Sequence, residues 1–230
     1  MNDLFDNIRC INLEHRMDRW EHCLRQFDKY NFKAERFGGV EYSHPSRTRK
    51  QNGQIGCWLA HYGAMMNAWD KGYKSLLILE DDFVITEPKD IFYKKVRAAY
   101  DQLPEDWDMF YLSAFFVKGY DYEEKESYSA DLYKVNTAFT LHSVAYSRRG
   151  LEKVLALMSI ANDDRMLELS DKYESIDWFM VREFQKQNKC YAPKKLLCSQ
   201  LNGYSDIENV MVDSNGWFAK CYNLKLKCNI

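Results

Sequence analysis

Between Ser75 and Asp82 the chain reads Ser-Leu-Leu-Ile-Leu-Glu-Asp-Asp, an apolar run that ends abruptly in three carboxylates. A short apolar run of this kind reads as a buried strand. Three adjacent negative charges repel one another, so a fold that sets them at a strand end needs a cation or a cationic ligand nearby. Side chains alternate along a strand, which points Glu80 and Asp82 one way and Asp81 the other. Two oxygen donors facing together suit a hard divalent ion such as Mg²⁺ or Mn²⁺. In open α/β sheets ligands collect outside the carboxyl ends of the strands, where these acids would sit. A solvated acidic turn has the same sequence, and the triplet alone leaves both readings open.

The surrounding pattern supplies the sheet. Residues 8–13 read as a first strand, and Met17, Trp20, Leu24 and Phe27 recur at helical spacing over about 16–30. A second strand is predicted at 32–37, closed by Gly38-Gly39, and the polar stretch 41–52, with Arg47, Arg49 and Lys50, reads as a mobile loop. The clearest helix covers about 54–71, with Ile55, Trp58, Leu59, Tyr62, Met65, Met66 and Trp69 on one face and Gly72 as C-cap. Gln54, Cys57 and His61 lie together on the flank of that face. Strand, helix, strand, helix, strand predicts a parallel sheet with right-handed crossovers. Further on, the pattern gives a helix at 90–100, a strand at 107–113 and an exposed acidic loop at 120–129. Strands follow at 131–135 and 143–147, then a helix through Leu151–Met158; 162–170 is undecided. Residues 175–187 read as a last helix with Ser175 as N-cap.

Composition bounds the function. With 230 residues, 46% hydrophobic, and only 10 Gly and 4 Pro, the chain reads as one domain over 1–230 with no linker or repeat. A net charge of −2 gives no general attraction to nucleic acid or anionic membrane. Seven cysteines without a CxxC pair suggest free thiols in a reducing compartment and no zinc site. The acidic start lacks an apolar signal core, no stretch approaches a membrane span, and the last residues match no retention or lipidation tag. A soluble, cytoplasmic protein is expected.

Four further groups carry chemistry or ordinary structure. Asp177, in the first turn of the last helix, is either a carboxylate favourably placed against the helix dipole or a general base held there. Residues 11–19 sit where a strand enters its helix, and the turn with Arg16 and Arg19 would suit a diphosphate, although no GxGxxG is present. The same residues also read as a solvated helix start. His61 is a metal ligand or a packed histidine. Residues 198–206 form a polar, Gly-containing loop after a strand, able to close over a ligand or merely to turn.

Taken in order, these segments resemble glycosyltransferase family 25, which includes lipopolysaccharide glycosyltransferases and procollagen galactosyltransferases. Ile11-Asn12-Leu13 with Arg16, Asp18 and Arg19 resembles its INL-x-x-R-x-DR start. Residues 53–62 resemble its G-E-I-G-C-x-L-S-H segment, departing at Gln54 and Ala60. Residues 77–82 match its acidic strand end. Trp107–Leu112 and Ala145–Gly150 are similar to later segments, Ile176–Phe179 to its V-D-x-F/L stretch, and Gln200–Asp206 to its Q-x-G-x-S-D loop. The likeness runs from about Ile8 to Ile207.

The resemblance implies a GT-A-type, Rossmann-like α/β fold, with a nucleotide-sugar half over about 1–115 and an acceptor half over about 116–230. It implies a UDP-galactose or UDP-glucose donor, Mn²⁺ (with Mg²⁺ as the alternative) and inversion. Asp82 is then the first metal ligand, supported by Glu80, with Asp81 toward the donor sugar. Asp177 becomes the base, its place at a helix start keeping it ionised; contact with donor or metal is its competing role. Asn12, Arg16, Arg19, Gln54, Cys57, His61, Gln200 and Gly203 are the remaining donor-side candidates. The acceptor would be a hydroxyl of a glycan, a lipid-linked saccharide or a protein. Clustered carboxylates on an α/β sheet equally serve a metal-dependent nucleotidyl- or phosphotransferase, and a non-catalytic sugar-binding relative would retain the same segments.

Overall fold

The computed structural model describes residues 1–116, 125–205, 207 and 210–213. In chain order it begins β1 (Asn7–Asn12), α1 (Met17–Tyr30), β2 (Glu35–Gly38), α2 (Arg49–Asp70), β3 (Ser75–Glu80), β4 (Phe83–Ile85), α3 (Lys89–Tyr100) and β5 (Met109–Tyr111). Four short strands follow: β6 (Phe115–Phe116), β7 (Lys125–Ser127), β8 (Leu132–Val135) and β9 (Ala138–Phe139). Then come β10 (Ser143–Ser147), α4 (Arg148–Met158), α5 (Asp163–Tyr173) and the single turn α6 (Ile176–Phe179). The described part closes with β11 (Cys190–Pro193), β12 (Cys198–Gln200), β13 (Gly203–Ser205) and β14 (Val210–Val212).

The central sheet has eight strands in the order β2-β1-β3-β10-β5-β11-β8-β7. β3 lies deep in it and its run is apolar throughout because both faces are covered. Leu76 and Ile78 join a core with Trp58 and Met65 of α2, Leu151 of α4 and Met166 of α5. Leu77 and Leu79 join the opposite core with Phe27 of α1 and Phe92 of α3. Each such fully buried aliphatic side chain stabilises the fold by roughly 1.5–3 kcal/mol, which fixes β3 and the acids at its tip. A buried Arg9 adds a polar tie, donating to the Ala64 carbonyl at 2.8 Å and to the Asn67 side chain at 2.5 Å.

The sheet is an α/β sheet flanked by helices and mostly parallel, but mixed. β1 pairs in parallel with β2 and β3, whereas β10 runs antiparallel to β3 and β5, and β8 antiparallel to β11 and β7. The mostly parallel sheet expected from the order of strands and helices is present, with β10 and β8 as its two opposed strands. Among the described residues the chain between β5 and β10 forms short strands and no helix, and a return without a crossover helix favours antiparallel pairing.

Helix boundaries moved for local reasons. α2 starts at Arg49 because Thr48 and Gln51 close a capping box, so the last third of the expected 41–52 loop is helix. Met17 and Leu24, assigned to the apolar face of α1, are exposed; Phe27 is buried as expected with Trp20 packed beside it, and Cys23 and Tyr30 complete the contact. The second strand begins at Glu35 rather than Phe32, whose ring is buried against Phe27. Residues 162–170, undecided from sequence, form α5 with Asn162 as N-cap, its side chain accepting from the Arg165 N–H. The single helix expected over 175–187 is one α turn that widens into a π turn at Met180–Phe184 and tightens to 3₁₀ at Gln185–Gln187. Gln185 is pinned in the core there, donating to Tyr111 Oη at 2.9 Å and to the Ala138 carbonyl at 2.7 Å. The acidic 120–129 loop lies outside the described residues up to 124, and β7 begins at Lys125.

Candidate active site

Regular β3 ends at Glu80, and the next two residues turn before β4. Alternation carries Glu80 toward α2, where its Oε1 lies 2.9 Å from His61 Nε2. It carries Asp81 toward α1, where Oδ1 accepts from Arg19 at 2.8 Å and Oδ2 accepts from Asn12 at 2.7 Å. Asp82 lies on the Glu80 side, with the Gln200 amide nitrogen at 3.3 Å and Arg19 at 3.7 Å. The protein therefore supplies one guanidinium near two of the three acids. Arg19 is aimed by a second bond, to the Tyr204 carbonyl at 2.9 Å.

That compensation is incomplete. Burial, together with the Glu80 carboxylate, pushes the Asp82 carboxyl up to about 7 despite Arg19 and Gln200. Burial also opposes ionisation of Glu80, but His61 beside it brings its carboxyl below the usual range. Buried, under-compensated carboxylate oxygen at a strand tip is what a hard dication satisfies, so the residues present fit Mn²⁺ or Mg²⁺.

Two adjoining cavities meet at these acids. The first, about 690 Å³, is lined by Asn12, Leu13, Tyr42, Arg49, His61 and Asp81 among others. The second, about 390 Å³, includes Gln54, Thr140, Asp177, Trp178 and Gly203. Arg19, Cys57, Glu80, Asp82, Gln200, Ser205 and Ile207 line both. Gly56 makes the first cavity possible: the 40–42 segment crosses α2 so closely that a Cβ there would run into the Val40 carbonyl.

Asp177 opens only on the second cavity of the two. Its Oδ1 accepts the Thr140 N–H at 2.8 Å. Thr140 holds φ at +72° and Glu174, on the same cavity, holds +61°. Positive φ at a β-branched residue is strained, and such strain concentrates at functional sites. The helix start does not hold Asp177 at the ordinary carboxylate value. Burial, then the nearby Glu80 charge, pushes it up to about 6 despite the Thr140 bond. A helix of one turn has too small a dipole to offset that burial.

The other sequence candidates fall into place unevenly. Asn12 lines the first cavity but its amide is spent on structure, donating to Asp81 and to the Arg16 carbonyl while its oxygen accepts from Arg36. Arg16 lines neither cavity and forks onto Asp18 with both bonds at 2.9 Å. Gln54 and Gly203 belong to the second cavity, His61 and Asp81 to the first. Asp206, in the Gln200–Asp206 loop, lies outside the described residues. Sequence reasoning missed Tyr42, Arg49, Thr140 and Trp178 as wall residues; for Arg49 the Thr48-x-x-Gln51 signature was the available signal. Trp178 stacks edge-on against Phe139 with ring centroids 4.8 Å apart and lies under the Arg182 guanidinium.

Two cavities that meet at the acids beyond the end of β3 make up the candidate site. The model of glycosyltransferase family 25, described as a lipopolysaccharide biosynthesis family, matches residues 5–162. The chain belongs to that family. It is 23% identical over 220 residues to procollagen galactosyltransferase 1 of Danio rerio, covering 84% of this chain and 36% of that protein. It is 25% identical over 207 residues to a glycosyltransferase 25 family member of Anopheles gambiae, covering 75% and 33% respectively. The chain thus spans about a third of the length of these curated relatives. Among solved structures, protein A197 from STIV aligns at a TM-score of 0.48 and 14% identity, over 90% of this chain and 93% of that one. A glycosyltransferase involved in glycosylation of the major capsid of PBCV-1 aligns at 0.42 and 14%, over 77% and 75%. Both scores fall below 0.5 and carry no argument. Among the described residues no helix is long and apolar enough to cross a membrane.

Proposed function

We propose that the chain moves galactose or glucose from a UDP-sugar to a hydroxyl of a glycan, a lipid-linked saccharide or a protein, with inversion and with Mn²⁺ or Mg²⁺ bound. The observation that carries this reading is the pair of cavities sharing Asp82, with Asp177 confined to the second. The first cavity takes the nucleotide diphosphate; the second takes the acceptor. The curated relatives named as galactosyltransferases support the donor class.

Asp82 would hold the cation, with Glu80 beside it. When bound, the cation neutralises charge that develops on the diphosphate as it leaves. Arg19 adds fixed positive charge on the same side, already oriented by Asp81 and Tyr204. Asp177 accepts the proton of the acceptor hydroxyl as its oxygen bonds to the anomeric carbon and the bond from that carbon to the diphosphate breaks. Attack from the cavity opposite the diphosphate gives inversion. The Thr140 N–H holds the carboxylate in position. A carboxyl near 6 is largely ionised at neutral pH and a stronger base than an ordinary aspartate.

Incubation with UDP-galactose or UDP-glucose, Mn²⁺ and simple acceptors tests the reading. Release of UDP supports it; release of UMP or pyrophosphate indicates nucleotidyl or phosphoryl transfer, and binding without turnover indicates a sugar-binding relative.

A further inference from the structure

The wall between the cavities holds a group of side chains that the transfer reaction does not require together. Cys57 and His61 stand four residues apart on α2, so they leave the same side of the helix. Both meet Glu80 at the end of β3. One ligand atom from each (a sulfur, an imidazole nitrogen and a carboxylate oxygen) lies within 4.8 Å of the other two. The His61 ring is fully buried, and its Nδ1 has no hydrogen-bond partner among the described residues. Cys57 and Glu80 both open on the two cavities, leaving solvent or ligand access to the cluster.

We propose that Cys57, His61 and Glu80 form a site for a thiophilic divalent cation, zinc foremost, separate from the hard-cation position at Asp82. The donor set is the argument. A thiolate, an imidazole and a carboxylate suit zinc, while Mg²⁺ and Mn²⁺ prefer oxygen alone. Three protein ligands with a fourth position open to a cavity match an accessible zinc site rather than a closed structural one. Scattered cysteines without CxxC argue against the closed kind, and this site needs only one cysteine because its ligands come from α2 and β3. Binding converts the thiol to a zinc-bound thiolate and releases its proton to water. The site shares Glu80 with the proposed donor metal.

Cobalt(II), a spectroscopic stand-in for zinc, tests the site on metal-free full-length protein without reference to glycosyl transfer. One equivalent should give an intense near-ultraviolet thiolate-to-cobalt absorption. Cys57→Ser should abolish the band, and Asp82→Asn should keep it. No band in the parent protein, a band surviving Cys57→Ser, or a band lost in Asp82→Asn overturns the assignment. X-ray absorption of the zinc-loaded parent protein needs no variant. One sulfur with nitrogen and oxygen neighbours is expected, and a shell with no sulfur or with several contradicts it.

Discussion

Asp82→Asn should make the metal-free protein more stable at neutral pH, although it removes a half-buried charged group. The Asp82 carboxyl stands at about 7 in the folded chain against 3.8 in an ordinary setting. Because the folded value is the higher, ionisation opposes folding. That cost is small near pH 4, grows as the pH rises toward 7, and is fully present above it. Holding the charge across that interval costs about 4 kcal/mol as a ceiling. Water entry and movement of Arg19 reduce the effective figure to roughly 2–4 kcal/mol. For a chain of this size this corresponds to a gain of roughly 5–10 °C in melting temperature. Thermal and urea denaturation in a chelator, from pH 4.5 to 8, reads it directly. The parent should weaken relative to the variant as pH rises. With Mn²⁺ and UDP in hundredfold excess over Kd, the parent should gain about 2.7 kcal/mol and the variant nothing. A variant less stable than the parent at pH 7.5 in chelator, or a difference independent of pH, refutes the reasoning.

Other outcomes follow from the same geometry. Asp177→Asn should lower turnover by roughly 10²–10⁴-fold while leaving donor affinity unchanged, and in the parent kcat/KM should fall as pH drops through about 6, where the base is protonated; undiminished turnover removes Asp177 from that role. Gly56→Ala should cost about 1–3 kcal/mol and weaken UDP binding, because the added methyl pushes Val40 and the first cavity's wall outward; calorimetric titration with UDP checks it. Asp108→Ala should cost about 2–3 kcal/mol in urea denaturation. The buried Asp108 carboxylate ties β5 to α4 and β11 through Arg149 at 2.9 Å, Lys153 at 2.8 Å and the Lys189 N–H at 2.9 Å.

What the sequence made legible was whatever a single element encodes. The run Leu76–Leu79 reads as a buried strand, which sets the acids at its carboxyl end. The flank Gln54–Cys57–His61 of α2 was readable from helical spacing alone, and α2 does bring all three to the cavities. What required the fold was which element meets which. Arg19, sixty-two residues before Asp81, proves to be the resident cation of the acidic tip. Thr140, in no regular pattern, is twisted to positive φ so that its N–H meets Asp177. The π turn after Asp177 depends on Gln185 reaching Tyr111 and Ala138, contacts invisible to local periodicity. The antiparallel pairing of β10 with β3 and β5 likewise depends on contacts between elements far apart in the chain, and short strands give weak signals.

Anomalous diffraction from crystals grown with UDP and manganese addresses the central claim. The metal peak should fall on the Asp82 carboxylate, beside the UDP phosphates and within the first cavity. A fully occupied manganese and UDP bound away from Asp82 would contradict the account.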